Sequence, residues 1–262
     1  MKTILITGAA SGFGKAAAIE LAKKGHKVIA TTHKQEDIAP LKAETAAMGL
    51  NIEVFKLDVT MEIDRAKAEA YDVDVLVNNA GLGIMGSLAE VPVDVVRKAF
   101  EVNVFGPMEL TKLVLKNIMR KQRGTVIFIS SVAGRLPGAF GNPYGMTKFA
   151  LSAGAAALRK EIHQVAKNVH ISIIELGPYD TGFNKKMFAT KYQWMGEDSY
   201  FKSIIPDLKK QDEMVLKHIE KDDISGLVKC IVDAAEANKP KLRYVAPITT
   251  SAAIKVMRAF GV

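Results

Sequence analysis

A glycine-rich turn near the start of the chain constrains the fold more than any other feature of the sequence. The turn spans residues 7–14 (TGAASGFG) and links a short apolar run to a stretch of strong helix formers. Gly8 allows a tight turn, Gly12 lets the backbone approach a pyrophosphate, and Gly14 lets helix and strand pack closely. Free backbone N–H groups and the positive end of the following helix favour an anion there. The turn therefore predicts a phosphate-binding site, with a purely structural turn as the alternative.

Short apolar runs alternate with longer helical patterns along the chain. The runs lie at residues 3–7, 28–32, 52–57, 73–78, 125–130, 170–176 and 242–245. This alternation predicts a mostly parallel sheet of about seven strands with helices on both faces. A length of 262 residues suits one domain, and neither a repeat nor a linker divides it. We therefore expect one doubly wound α/β domain over residues 1–262.

Charge, cysteine content and hydropathy exclude several classes of protein. The net charge is +8, but Lys and Arg are spread out, so we expect no nucleic-acid partner. The lone Cys230 excludes an internal disulfide, and no cluster of Cys and His predicts a metal site. The first apolar stretch is too short for a signal peptide, and no apolar run approaches the roughly 20 residues of a membrane helix. We expect no transmembrane segment and a cytoplasmic location.

One segment breaks the alternation of strands and helices. Residues 182–212 mix aromatic, Met and Lys side chains over a length that is unusual for a connection. The segment follows the sixth predicted strand, and ligands in such sheets bind beyond the C-terminal ends of the strands. It therefore predicts a lid over a mostly apolar substrate. A surface helix pair with its own small core is the alternative.

The glycine spacing, Gly-x-x-x-Gly-x-Gly, resembles that of the short-chain dehydrogenase/reductase family. Four further features agree in order and spacing: residues 78–81 (NNAG), Asn103, Ser131, and the Tyr-x-x-x-Lys pattern of Tyr144 and Lys148. The resemblance covers residues 3 to about 181. It implies a single Rossmann-type domain and an NAD(P)-dependent oxidoreductase that acts on CH–OH groups.

Tyr144 and Lys148 form a candidate proton-transfer pair. They stand four residues apart, which puts both side chains on one face of a helix, and Pro143 suits the start of that helix. A free phenol titrates near about 10, and a neighbouring ammonium favours the phenolate and lowers that pKa. Tyr144 can then donate a proton to a carbonyl oxygen or remove one from an alcohol. Taken alone, the two residues could equally be an accidental surface pair.

Two more residues complete the catalytic set that the resemblance implies. Ser131 follows a predicted strand, precedes Tyr144 by 13 residues and should hydrogen-bond the substrate oxygen. Its neighbour Ser130 should point to the other face of the sheet, because side chains alternate along a strand. Asn103 matches the family member that holds a water linking Lys148 to solvent. A buried helical Asn that serves structure alone is the alternative.

Residues after the second predicted strand bear on the choice of cofactor. NAD sites carry an Asp or Glu about 20 residues beyond the glycine turn. The corresponding position here is Thr32, followed by His33 and Lys34. A carboxylate would repel a 2′-phosphate, whereas Lys34 would attract one, so we expect a preference for NADP(H) over NAD(H). The alternatives are that Lys34 is a solvated surface charge, or that the nearby Glu36 or Asp37 holds a ribose.

The resemblance implies the remaining cofactor contacts. They are Gly8, Ser11, Gly12, Phe13 and Gly14 in the turn, Asp58 and Val59 at the adenine, Asn79, Ala80 and Gly81 beneath the adenosine, Tyr144 and Lys148 at the reacting end, and Gly177, Tyr179 and Thr181 near the nicotinamide. Leu176 stands where the family usually has proline, which leaves the local turn shape open.

Together these features predict a carbonyl reductase or secondary-alcohol dehydrogenase for a hydrophobic steroid, retinoid, fatty-acyl or aromatic substrate. Residues 238–244 (NKPKLRY) resemble the hydroxysteroid and retinol dehydrogenase branch of the family. The resemblance implies a homodimer or homotetramer that forms through helices at 107–120 and 144–166. The alternatives are a catalytically silent redox sensor and an epimerase or dehydratase. A redox sensor is expected to lack Tyr144 or Lys148. An epimerase or dehydratase is expected to have a glycine turn of different spacing.

Overall fold

The computed structural model describes residues 1–219 and 222–246 of the chain. Its strands are β1 (Thr3–Ile6), β2 (Lys27–Thr32), β3 (Ile52–Lys56), β4 (Val75–Asn78), β5 (Met85–Gly86), β6 (Gly124–Ser131), β7 (Asn142–Pro143), β8 (Val169–Leu176) and β9 (Arg243–Ala246). Its helices are α1 (Gly12–Lys23), α2 (Ile38–Ala47), α3 (Glu62–Ala66), α4 (Val93–Phe100), α5 (Gly106–Lys121), α6 (Tyr144–Val165), α7 (Phe183–Thr190), α8 (Ile205–Met214) and α9 (Ser225–Glu236).

Seven of the strands form one parallel sheet in the order β3-β2-β1-β4-β6-β8-β9. Strands β1 and β4 are neighbours in the sheet although β2 and β3 lie between them in sequence. The strand order therefore reverses between β1 and β4, and the loops leaving these two strands diverge to open a crevice at the C-terminal edge. The predicted single doubly wound α/β domain is confirmed.

Side-chain alternation along each central strand builds two hydrophobic cores, one on either face of the sheet. In β1, Ile4 and Ile6 pack in the core that contains residues of α1 and α9. Leu5 packs in the opposite core, which contains residues of α5 and α6. All three side chains are fully buried. This two-sided burial explains why the strands read as continuous apolar runs rather than as alternating ones.

The strand bounds differ from the predicted ones by at most two residues. The largest difference is at the predicted strand 73–78, which begins at Val75. The residue before it, Asp74, donates its backbone N–H to the carbonyl of Thr3 at 2.8 Å, and its carboxylate accepts from the Thr3 N–H at 2.9 Å. These two bonds hold Asp74 against β1 where the chain enters the sheet.

Two features outside the main sheet shape the crevice. Strands β5 and β7 form a small antiparallel ribbon that the sequence did not indicate. The segment 182–212 contains α7, short 3₁₀ turns and most of α8. Nowhere in residues 1–219 and 222–246 is a helix both long and apolar enough to cross a membrane.

Candidate active site

A cavity of about 1100 Å³ opens at the C-terminal edge of the sheet. Its volume lies at the upper end of the range of small-molecule sites, about 300–1,000 Å³. The cavity is lined by most of the residues singled out in the sequence: Gly8, Ser11, Gly12, Phe13, His33, Asp58, Val59, Asn79, Ala80, Gly81, Ser131, Tyr144, Lys148, Gly177, Tyr179 and Thr181. Four others, Gly14, Thr32, Lys34 and Asn103, do not line it.

The glycine turn forms one wall of the cavity. Gly8 and Gly12 have φ of +65° and +56°, a backbone conformation that glycine adopts without strain. A Cβ added to Gly8 would lie 2.8 Å from the Cα of Ala80, and one added to Gly12 would lie 3.7 Å from the Cβ of Thr181. Gly8 therefore packs against Ala80, and Gly12 approaches the loop after β8.

Asn79 holds this turn in place. Its amide nitrogen donates to the carbonyl oxygens of Thr7 at 2.8 Å and Gly8 at 3.0 Å. In return, the Thr7 hydroxyl accepts from the backbone N–H groups of Asn79 and Ala80, both at 3.0 Å. Gly14, which does not line the cavity, packs against the same turn: a Cβ there would lie 2.7 Å from the carbonyl oxygen of Gly8.

At the far end of the cavity, His33 faces Asp58. The imidazole Nε2 lies 3.2 Å from a carboxylate oxygen of Asp58. The other Asp58 oxygen accepts from the backbone N–H and the hydroxyl of Thr60. Burial acts to raise the pKa of Asp58, but the two Thr60 bonds and His33 outweigh it and hold the pKa below its ordinary value. Asp58 is therefore ionised and fixed in position at neutral pH.

Thr32 and Lys34 depart from the sequence-based expectation that they line the cofactor cavity. Thr32 is fully buried, and its hydroxyl donates to the carbonyl oxygen of Lys34 at 2.8 Å. The Lys34 ammonium lies 3.5 Å from the Glu36 carboxylate on the outer surface. The chain begins a 3₁₀ turn directly after Lys34, which brings the Glu36 carboxylate within reach of the lysine. Of residues 32–34, His33 is the one that lines the cavity.

Tyr144 and Lys148 lie together at the opposite end, on the first turns of α6. The Lys148 ammonium is 5.5 Å from the centroid of the Tyr144 ring and donates to the carbonyl oxygen of Ile129 at 2.9 Å. Both residues are buried, with 9% of Tyr144 and 4% of Lys148 exposed. The cavity therefore reaches a phenol and an ammonium that are both largely withdrawn from water.

Burial controls the titration of this pair. It raises the pKa of Tyr144 to about 12, against a smaller lowering effect of the Ser131 hydroxyl. Burial also lowers the pKa of Lys148 to about 8. The sequence-based expectation that the ammonium lowers the pKa of Tyr144 is not met in this arrangement. Desolvation penalises both charged forms, and the Lys148 N–H is directed to a carbonyl rather than to the phenol.

Ser131 and Ser130 point to opposite faces of β6. The Ser131 hydroxyl lines the cavity, donates to the carbonyl oxygen of Leu176 at 3.3 Å and accepts from the Ala133 N–H at 3.1 Å. The Ser130 hydroxyl instead contacts the Ser152 hydroxyl at 2.7 Å, within the packing of α6 on the sheet. Both residues line the cavity, but the Ser130 hydroxyl is bonded to Ser152 and to the Lys148 carbonyl, so the Ser131 hydroxyl is the one placed to meet a substrate oxygen.

Asn103 lies in a π-helical turn, Glu101–Phe105, between α4 and α5. Its side chain accepts from the Leu82 N–H at 2.7 Å and donates to the Leu82 carbonyl at 2.8 Å and the Thr147 hydroxyl at 3.0 Å. The Thr147 hydroxyl in turn donates to the Tyr144 carbonyl at 2.7 Å. The side chain thus joins the loop after β4 to the first turn of α6, which agrees with the structural alternative. A water relay at Asn103 stays a prediction.

The cavity wall opposite the glycine turn is mostly apolar. It includes Met85 and Leu136, together with Phe183, Met187 and Phe188 of α7. No sequence motif singles out Met85, in the short strand β5 after β4, or Leu136, in the loop after β6. The only available signal was their position, because loops at this edge of an α/β sheet carry the ligand contacts.

Hydrogen bonds join the segment after β8 to Met85 in this wall. The Trp194 indole donates to the Met85 carbonyl oxygen at 3.1 Å, and the Thr190 hydroxyl accepts from the Met85 N–H at 2.9 Å. A Cβ on Gly83 would lie 2.8 Å from the Phe183 ring, so α7 packs directly on the loop after β4.

Across the described residues, no group of three or more His, Cys, Asp or Glu side chains could hold a metal ion.

The sequence matches one family model and is similar to several known enzymes. The sequence model of the family described as short chain dehydrogenase matches residues 2–192. Human retinol dehydrogenase 8 is 32% identical over 265 residues, which cover 95% of this chain and 84% of the relative. Serine 3-dehydrogenase of Agrobacterium fabrum is 35% identical over 208 residues, covering 78% of this chain and 82% of the relative.

Solved structures agree over nearly the whole chain. A short-chain dehydrogenase from Streptomyces avermitilis superposes with a TM-score of 0.80 at 28% identity, covering 98% of this chain and 94% of that one. A closed form of serine dehydrogenase complexed with NADP⁺ has a TM-score of 0.78 at 26% identity, covering 94% of this chain and 95% of that one.

Proposed function

This chain belongs to the short-chain dehydrogenase family, and we propose that it is an NADP(H)-dependent oxidoreductase that interconverts a hydrophobic ketone and the corresponding secondary alcohol. One observation carries the proposal. A single cavity joins the glycine turn to a buried Tyr144, Lys148 and Ser131. A dinucleotide that rests its phosphates on the turn would extend toward these three side chains.

The residues of the cavity fit a nicotinamide dinucleotide. The strongest sign is the turn itself, because Gly8 and Gly12 adopt positive φ and line the cavity where α1 begins, and the first N–H groups of that helix have no side-chain cap. Asp58 and Val59 would hold the adenine end of the dinucleotide. Lys148 and Thr181 would hold its nicotinamide end. When bound, the nicotinamide supplies or accepts the hydride.

The protein's own contribution to the reaction is position and a proton. The Ser131 hydroxyl would bind the carbonyl oxygen and stabilise the negative charge that develops on it. Because burial keeps the Tyr144 phenol protonated at neutral pH, it is ready to donate a proton to that oxygen. Lys148 carries its charge below about pH 8 and would favour the phenolate that remains.

The residues at the end of β2 support a preference for NADP(H). The end of β2 carries the neutral Thr32 where a carboxylate would exclude a 2′-phosphate. His33 faces the cavity there and can donate to a phosphate oxygen. The Lys34 ammonium would join it only by leaving Glu36. NAD(H) remains the alternative cofactor.

The apolar wall supports a hydrophobic substrate. Met85 of β5 and Leu136 of the loop after β6 line the cavity, together with Phe183, Met187 and Phe188 of α7. We assign residues 182–212 as the lid that closes the substrate side. A steroid, retinoid, fatty-acyl or aromatic carbonyl would bury its apolar surface against these side chains.

Exposed apolar side chains support a homodimer or homotetramer. Phe105, which ends the π-helical turn before α5, is 47% exposed, and Met108 of α5 is 45% exposed. Met146 and Phe149, on α6, are 36% and 40% exposed. Surfaces of this kind on adjoining helices suit a second copy of the chain. Sedimentation of the purified protein tests this assembly.

A cytoplasmic location stays a prediction from the sequence.

The function is tested by NADPH oxidation with a panel of carbonyl compounds. The panel contains all-trans-retinal, a 3-ketosteroid, a long-chain 3-ketoacyl ester and an aromatic ketone, with acetone as the small polar control. We expect turnover with at least one bulky compound and a kcat/KM for acetone that is lower by 100-fold or more. Tight NADPH binding without any turnover would instead support the redox sensor.

A further inference from the structure

A buried ionic cluster lies behind the catalytic residues and takes no part in the chemistry described above. Its centre is Glu175 of β8, whose side chain is 0% exposed. One guanidinium nitrogen of Arg135 lies 3.1 and 3.0 Å from its two carboxylate oxygens. Arg243 of β9 binds the same carboxylate from the other side. A carboxylate buried this deeply is stable only because both cations compensate for its lost hydration.

The position of this cluster links it to Ser131. Residues 131–135 form a tight turn after β6, and β8 holds both ends of the turn. At its first residue, the Ser131 hydroxyl donates to the carbonyl oxygen of Leu176. At its last residue, Arg135 binds Glu175, the residue immediately before Leu176. Two consecutive residues of one rigid strand therefore fix the turn at both ends.

The same turn rests on the catalytic helix. A Cβ on Gly134 would lie 2.6 Å from the carbonyl oxygen of Lys148, so the turn touches the backbone of α6 at that residue. A Cβ on Gly145, next to Tyr144, would lie 3.5 Å from the Ala133 carbonyl. The turn that begins at Ser131 thus packs on the backbone that carries Tyr144 and Lys148. A displacement at Arg135 would change the distance between the serine hydroxyl and the phenol.

We propose that Arg135, held by Glu175, is a positioning residue that sets the placement of Ser131 against Tyr144 during the reaction. Arg243 neutralises the same carboxylate but does not belong to the turn. The two arginines therefore have separable roles, Arg135 in geometry and Arg243 in the attachment of β9. The proposal rests on the proposed oxidoreductase function, because it concerns the residues that would bind and protonate the carbonyl.

Arg135→Met and Arg243→Met form a matched pair for testing this role. Each removes one cation from Glu175 and keeps an unbranched side chain in its place. Misplacement of a reacting group by about 1 Å can cost 100-fold in rate. We expect Arg135→Met to lower kcat 10- to 100-fold with KM within three-fold of wild type. Arg243→Met should keep kcat within two-fold, although it melts at a lower temperature.

Rescue separates geometry from general loss of structure. Arg135→Lys restores a cation beside Glu175 and should recover at least a third of the wild-type kcat. Equal loss of kcat in Arg135→Met and Arg243→Met would overturn the proposal, as would a wild-type kcat in Arg135→Met. If Arg135→Met does not fold, Arg135→Gln is compared with Arg243→Gln by the same criteria.

A second readout does not depend on turnover. The protein is labelled with 3-fluorotyrosine, and the ¹⁹F resonance of Tyr144 is assigned by its loss in Tyr144→Phe. The resonance should move in Arg135→Met and keep its wild-type position in Arg243→Met. Unmoved resonances in both variants would contradict the positioning role. If the wild type reduces no carbonyl, the proposed function fails, and this spectrum still decides whether Arg135 controls the surroundings of Tyr144.

Discussion

The Lys148 ammonium lies 5.5 Å from the centroid of the Tyr144 ring and is bonded to the Ile129 carbonyl rather than to the phenol oxygen. Burial therefore dominates the titration of both groups and moves their pKa values apart, up to about 12 for Tyr144 and down to about 8 for Lys148. At neutral pH the phenol is a proton donor and the ammonium is charged. This state favours reduction of a carbonyl over oxidation of an alcohol.

The first prediction concerns pH. Ketone reduction needs the protonated phenol, which persists to about pH 12, so titration of Tyr144 should not lower kcat between pH 6 and 8. Alcohol oxidation needs the phenolate, whose fraction rises with pH below the pKa. We expect kcat for oxidation to increase up to ten-fold per pH unit across the same range. Rates of both directions with one ketone–alcohol pair check this, and oxidation that is independent of pH would contradict it.

The second prediction separates His33 from Lys34. Loss of the side chain that faces the 2′-phosphate should reduce the preference for NADPH, whereas loss of one on the outer surface should not. A charge-assisted contact is worth about 1.5–3 kcal/mol, so wild type should prefer NADPH roughly 10- to 150-fold. The ratio of kcat/KM for NADPH and NADH should fall in His33→Gln and stay unchanged in the matched variant Lys34→Gln. A ratio that falls in Lys34→Gln and stays unchanged in His33→Gln would instead indicate that Lys34 binds the 2′-phosphate.

A third prediction uses Thr32. In Thr32→Asp a carboxylate would stand at the end of β2, repel the 2′-phosphate and accept the ribose hydroxyls of NADH instead. The cofactor preference should reverse in the same kcat/KM ratio. Because Thr32 is fully buried, the variant is first compared with Thr32→Asn for folding. A wild type that prefers NADH would defeat the assignment, and Glu36 or Asp37 would then be the ribose ligand to examine.

The fourth prediction tests the structural role of Asn103. In Asn103→Ala the N–H and carbonyl of Leu82 lose their side-chain partner. Leaving a buried backbone group unsatisfied costs about 1–3 kcal/mol, so we expect the free energy of unfolding in urea to fall by about that amount. A variant that keeps its stability and loses only turnover would instead favour the water relay.

The fold was predictable because its signals are local. The glycine turn and the apolar runs lie within short stretches, and each run is apolar throughout because both faces of the sheet are covered. The ribbon of β5 and β7 escaped prediction because two-residue strands carry no period. The exact start of β4 depends on Asp74 binding Thr3, a contact between distant parts of the sequence.

The sequence predicts which residues form the candidate site better than it predicts the contacts that those residues make. Motif spacing indicates that Ser131, Tyr144 and Lys148 converge, but it does not indicate how burial shifts their titration. It also does not reveal which side chain faces the cavity after β2 ends, where the structure favours His33 over Lys34. Such directions depend on neighbours that only the folded chain brings together.

The most direct test of the account is turnover by Tyr144→Phe. This substitution keeps the ring, which packs 6.0 Å from the Phe183 ring between centroids, and removes only the proton donor. NADPH oxidation is measured with the best carbonyl substrate of the panel, beside NADPH affinity from fluorescence titration. We predict that kcat falls by at least 100-fold while the dissociation constant stays within a few-fold of wild type. Near-normal turnover in Tyr144→Phe would remove this residue from the mechanism and contradict the account.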